Sequence, residues 1–123
     1  MKNERKNAAR QSRVKATKKV LDVQGGSAYF NNVKWSQLFE LIENINCPFT
    51  YKTVLEEGFR SCSFVRELAH SSALLDDTGD FIEFLEIQKL RIGKNEKVVA
   101  YLNEKKIFYE SIDDDLIIYA YSS

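Results

Sequence analysis

The chain has 123 residues, 44% apolar and 12% aromatic, which suffices for one domain with its own core and is too short for two. That composition excludes wholesale disorder, and no apolar run approaches the ~20 residues that cross a membrane. The net charge of zero hides a split. Residues 1–21 hold eight basic side chains against Glu4 alone, a net of +7, and the remaining 102 residues hold 10 basic and 17 acidic ones, a net of −7. A basic segment over 1–24 is thus joined to one acidic domain over 25–123, an asymmetry that speaks about partners more than about fold. The basic residues after Met1 have no apolar stretch behind them, so no secretory signal is expected. Cys47 and Cys62 are far apart and form no CxxC pair, which points to two reduced thiols and a cytoplasmic setting.

Residues 2–22 contain no Pro or Gly and can form a helix, but Ala9, Val14, Ala16, Val20 and Leu21 make too thin an apolar stripe to dock firmly. Gln24-Gly-Gly-Ser27 reads as a flexible break. Asn31 and Asn32 are N-cap residues for the next helix. Trp35, Leu38, Phe39, Ile42 and Ile45 recur there at helical spacing, opposite Lys34, Gln37, Glu40 and Glu43, and predict a helix over 33–46 that Pro48 ends. Phe49 to Leu55, rich in Thr, Tyr and Val, suits a strand, and Gly58 a turn.

The stretch Arg60 to Ala69 is ambiguous, since Phe64, Val65 and Leu68 fit either a short helix or a strand, and 71–79 reads as a loop. From Phe81 to Ile92 apolar residues fall at both parities, which predicts one continuous strand with apolar side chains on both faces. Residues 96–105 predict a second amphipathic helix with Val98, Val99, Tyr101 and Leu102 inward. Ile107–Ser111, the turn Asp113-Asp114-Asp115 and Leu116–Tyr121 predict a hairpin. The expected fold is α+β: a mainly antiparallel sheet of four or five strands with helices on one side, preceded by the basic helix or tail.

The chemistry-bearing residues point away from catalysis. His70 is the only histidine, so no HxxxH or HExxH ligand set exists. Cys62 and His70 as a nucleophile pair would need proximity that the sequence does not signal. Asp76, Asp77, Asp80, Glu83 and Glu86 fall within eleven positions, with no phosphate-binding Gly-rich loop beside them. On a strand Glu83 and Glu86 would point to opposite faces. Neither a catalytic group nor a metal or cofactor site is expected. The acidic cluster is either a solvated rim or a surface for a basic partner, and Asp113, Asp114 and Asp115, first of all turn residues, extend it. The segment 2–19 could touch nucleic-acid phosphates, though it carries no aromatic for base stacking. Equally, it could fold onto the domain's own acidic face. Tyr101, Tyr109, Tyr119 and Tyr121 form an aromatic group that, where exposed beside acids, would suit recognition.

Two stretches carry a resemblance. Asn31-Asn-Val-Lys-Trp-Ser-Gln-Leu38 resembles an NN-x-KW-xx-L helix start; Phe81-Ile-Glu-Phe-Leu-Glu-Ile87, then Tyr101-Leu, Ile107-Phe-Tyr-Glu and Ile117-Ile-Tyr-Ala-Tyr121, resemble the rest of the same pattern. Over residues 28–121 the chain is similar to a family of small bacterial proteins known as a domain of unknown function, a resemblance that implies a bacterial cytoplasmic setting and no catalytic motif. In size, acidity and class it also resembles the immunity proteins that neutralise bacterial interference toxins. The expectation is a non-catalytic binding protein of that kind, with Asp76, Asp77, Asp80, Glu83, Glu86 and Asp113–Asp115 facing a basic toxin domain. The competing expectation is a nucleic-acid-associated regulator using the basic segment. No membrane contact is expected.

Overall fold

A computed structural model of the chain describes residues 2–62, 73–75, 77 and 79–122. Among the described residues, three helices and seven strands occur in the order α1 (Lys2–Gln24), α2 (Asn32–Ile45), β1 (Phe49–Thr53), β2 (Arg60–Cys62), β3 (Ala73–Leu75), β4 (Phe81–Glu83), β5 (Ile87–Gly93), α3 (Glu96–Glu104), β6 (Tyr109–Ile112) and β7 (Asp115–Tyr119). Five strands form one antiparallel sheet in the order β2-β1-β5-β7-β6, and β3 pairs with β4 in a separate two-stranded sheet. The expected α+β class and basic N-terminal helix are both present. Of the ambiguous stretch Arg60 to Ala69, Arg60–Cys62 is a strand, and the rest, with His70, lies outside the described residues.

Local signals explain the helices. Asn31 accepts the Lys34 N–H at 2.8 Å and so caps α2, while Asn46 ends it in the left-handed conformation at φ 55°. Asn95 caps α3 by accepting the Lys97 N–H. Trp35, Leu38, Phe39 and Ile42 of the predicted apolar stripe are buried, and Ile45 at its end is half-buried. Trp35 stacks on Phe30 with ring centres 3.8 Å apart, and Phe39 packs against Phe49 and Phe84 at 5.5 and 5.3 Å. One sheet face supplies the other half of this core through Phe49, Tyr51, Leu90, Ile92, Leu116 and Ile118. The Tyr101 hydroxyl has its proton shared between the Lys34 carbonyl at 3.0 Å and Gln37 Oε1 at 3.2 Å, tying α3 to α2.

Three expectations change. The strand foreseen from Phe81 to Ile92 is two strands, separated by a 3-10 turn at Phe84–Glu86. The even positions Ile82, Phe84, Leu90 and Ile92 all fill the core, whereas of the odd apolar positions only Ile87 does so, beside the register shift at Lys52/Thr53; Phe81 is exposed and Leu85 half-buried. The turn is held by the Val54 N–H on the Glu86 carbonyl and the Tyr121 hydroxyl on the Leu85 carbonyl. Ala73–Leu75, read as loop, is a strand whose apolar residues were too few to signal one. The Gly25-Gly26 break is clamped. Ala28 bridges Tyr121, Ser27 and Ser122 exchange hydrogen bonds, and a Cβ on Gly26 would fall 1.9 Å from the Ser122 carbonyl oxygen.

Emptying the Trp35 site should cost about 3–5 kcal/mol, so Trp35→Ala is expected to lower the urea midpoint sharply without changing its slope. Burial, helped by the Glu104 carboxylate, pushes the Tyr101 hydroxyl up to about 12. Its folded pKa is raised, so its contribution is full below the ordinary value near 10 and is lost as pH rises from there towards 12. Tyr101→Phe should flatten that alkaline decline and cost about 1 kcal/mol at neutral pH, both measurable by thermal unfolding across pH.

Candidate functional site: two acidic neighbourhoods and an open sheet face

The structure does not bring the predicted acidic residues together on one face. Glu83 and Glu86 do not point to opposite sides, because the 3-10 turn rotates both towards α1. Arg10 Nε donates to Glu83 Oε1 at 2.9 Å, and Arg13 Nε to Glu86 Oε1 at 2.6 Å. Arg13 also donates to the Phe81 carbonyl, and the Arg10 guanidinium lies 5.5 Å from the centre of the Phe81 ring. The Glu86 side chain is only 1% exposed and accepts the Glu83 N–H through its second oxygen. These two carboxylates are therefore occupied by the chain's own basic helix. Charge, with Thr17 buried beneath the helix, fastens α1 where its apolar stripe could not. Of the basic residues described on α1, Lys15, Lys18 and Lys19 remain exposed.

The second neighbourhood lies at one end of the five-stranded sheet. A depression of about 460 Å³ there brings Asp77 and Asp115 together with Arg91, Thr50 and Ser61. Asp115 accepts from Arg91 Nε at 2.8 Å and belongs to β7, not to the turn. The turn is Asp113-Asp114 alone, with Asp113 at φ 54°, a conformation that Asp tolerates. Asp113 and Asp114 are exposed and carry no ion pair among the described residues. Asp80 sits 3.7 Å from Arg60, which also meets Glu56. Asp76 lies outside the described residues. Thus Asp77 and Asp115 share one depression, Asp113 and Asp114 form the turn before Asp115, Asp80 meets Arg60, and Glu83 and Glu86 stand apart under α1. Among the described residues no three His, Cys, Asp or Glu side chains gather to hold a metal ion, and no helix is long and apolar enough to cross a membrane.

Strand register shows a surface that no short motif encodes. Alternation turns Phe49, Tyr51, Leu90 and Ile92 towards α2, so their neighbours face the other way. Across that open face run Ser61, Thr50, Arg91, Ile117 and Glu110 in one cross-strand rank, and Lys52, Lys89 and Tyr119 in the next. Lys89 Nζ lies 5.2 Å from the centre of the Tyr119 ring, and Tyr119 packs on Phe108 at 5.3 Å. Phe108 packs in turn on Tyr29 at 6.4 Å. With Tyr121 they line a depression of about 760 Å³. Burial, then the Glu110 charge and its hydrogen bond, raise the Tyr119 hydroxyl above its ordinary pKa, and burial raises that of Tyr121; both stay protonated donors at neutral pH. Phe108 and Ile112 stay 49% and 42% exposed on this side. The alternation in 107–121 could have located this face, had the partner strands been known.

No family model, no curated protein and no solved structure matches this chain, so the family resemblance rests on its sequence motifs alone.

The buried pair gives a sharp expectation. Arg13→Ala leaves the Glu86 charge uncompensated in the interior and should destabilise by about 3–5 kcal/mol. Arg10→Ala removes a more exposed pair and should cost about 1 kcal/mol or less. Adding Glu86→Gln to Arg13→Ala should recover part of the loss, as read by urea unfolding.

Proposed function

We propose that this chain is a non-catalytic binding protein of the immunity type, which blocks a basic toxin domain through the open face of its sheet. The observation that supports this reading is the combination on that face of exposed aromatic and aliphatic side chains with an acidic border. Ile112 sits between Glu110 and the Asp113–Asp115 corner, and Phe108 and Tyr119 lie one rank beyond Glu110 on the same face. Interfaces concentrate affinity in partly exposed aromatic anchors and use a charged rim to choose and steer the partner. Five strands at ~4.8 Å spacing make a face about 20 Å wide. The contact predicted for Glu83 and Glu86 moves out of the proposal, since α1 already covers them. A weaker second reading, nucleic-acid contact, keeps Lys15, Lys18 and Lys19 of α1.

The test begins with capture of the partner from the native host and its identification by mass spectrometry. For an immunity protein, that partner is the product of an adjacent gene, and co-expression of this chain restores growth to cells producing it. Asp113→Asn with Asp114→Asn keeps the turn while removing two charges, so the melting temperature should stay unchanged. Association should slow about tenfold at low salt, with the deficit shrinking as salt rises. Unchanged association for this variant and for Asp77→Asn would overturn the acidic-border reading. A gel shift with generic DNA or RNA, and no protein partner, would favour the lysines of α1.

A further inference from the structure

Resting on the protein-partner reading, we propose that the free edge of β6 captures an extended, basic segment of the partner as a sixth strand of the sheet. The argument starts from the hairpin. Its loop has two residues, and Ile112 faces Asp115 across it, so this closing pair exchanges main-chain hydrogen bonds inside the hairpin. Parity then carries inward. Ile112, Glu110 and Phe108 turn their main chain towards β7, in agreement with the Tyr119 N–H donating to the Phe108 carbonyl at 3.2 Å. Tyr109 and Ser111 turn their N–H and C=O groups outward, and β6 is the last strand of its sheet.

Natural edges are commonly guarded by Lys, Pro or a bulge. Residues 109–112 contain neither Lys nor Pro, and the β6–β7 register runs without a shift. The opposite edge, β2, carries Arg60, which is held by Glu56 and Asp80. An added strand gains affinity from main-chain bonds and specificity from pockets for alternate side chains. Both are present here. On the open face the added strand would run past Glu110 and Ile112, beside the depression lined by Tyr29, Phe108, Tyr119 and Tyr121.

Charge decides the occupant. Glu110, Asp113 and Asp114 border the edge, and the segment 108–114 contains no basic residue. A Lys or Arg placed opposite Glu110 gains a cross-strand pair. Its neighbour two positions on reaches the aromatic depression, where Lys89 over Tyr119 already shows an ammonium lying against a ring. The geometry therefore selects a strand with basic side chains on one face and β-branched ones on the other.

The test uses the full chain and two short capped peptides, one alternating Lys and Val, the other Glu and Val. Hydrogen exchange should slow at the Tyr109 and Ser111 amides with the Lys peptide, while the Glu peptide should leave both unchanged. Ser111→Pro removes an outward N–H and no bond within the hairpin, so the fold should be kept. It should weaken the Lys peptide at least tenfold, whereas Ser111→Ala should bind as the natural chain does. No slowing at these amides, or full binding by a folded Ser111→Pro, would overturn the proposal. Dimerisation of the chain that Ser111→Pro abolishes would also overturn it, by making a second copy the occupant. If the captured partner binds Ser111→Pro normally but loses association with Asp113→Asn/Asp114→Asn, the edge proposal fails and the function stands. If neither variant changes that association, the proposed function fails as well.

Discussion

A carboxylate in the interior must be matched, and Glu86 is the constraint around which the N-terminal half is arranged. Its side chain is 1% exposed and meets Arg13 at 2.6 Å. Leaving such a charge unpaired costs several kcal/mol, although the intact pair adds little net stability over an apolar substitute. The pair is thus better understood as fixing position than as supplying stability. It sets where α1 crosses the two-stranded sheet, and Arg10, one turn away on the same face, repeats the contact on Glu83. The 3-10 turn makes both contacts possible, because a continuous strand would have sent the two carboxylates apart.

This arrangement changes the meaning of the charge split. A net of +7 on residues 1–21 beside −7 on the rest suggests two surfaces waiting for partners. Part of each surface instead satisfies the other. Arg10 and Arg13 leave the pool available to phosphates, and Glu83 and Glu86 leave the pool available to a basic protein. What remains is spatially resolved: lysines on α1, and carboxylates at the β6–β7 corner and beside Arg91. Helix packing by ion pairs also explains how a segment so poor in apolar residues docks at all, helped by the clamp of Ser27 and Ser122 at its end.

Much of the fold was legible because its signals are local. The α2 stripe of Trp35, Leu38, Phe39 and Ile42, its Asn31 cap and the alternating hairpin all arise from periodicities within a dozen residues. The break at Phe84 was not, since Phe and Leu suit a strand as well as a 3-10 turn. The decision there is tertiary: Phe84 reaches Trp35 and Phe39, while Tyr121 and Val54 take the turn's backbone groups. The clamp at Gly26 was hidden for a related reason, since its partner is Ser122, nearly the whole chain away. The acidic residues were visible in the sequence, but their grouping depended on register. Asp115 joins Asp77 only because β7 lies beside β5 and β5 beside β1.

The same register separates the roles of the sheet's two faces. Phe49, Tyr51, Leu90, Ile92, Leu116 and Ile118 meet the helices, so substitutions there act on stability. The facing ranks of Thr50, Arg91, Ile117 and Glu110, and of Lys52, Lys89 and Tyr119, place polar heads over a sheet already secured from behind. Side chains on such a face can change without emptying the core, which leaves them free to follow a partner. The exception is Ile117, buried on the open side and absent from the main core. It lies between Arg91 and Glu110, whose stems shield it. A partner strand along β6 would extend that shielding outward, since Ile112 and Phe108 are the next apolar groups on the same side. Exposed apolar side chains at an unguarded edge, bordered by acids, cost the free protein solubility and colloidal safety. That cost is offset if the edge is used for binding, and the neighbouring carboxylates disfavour the pairing of like edges.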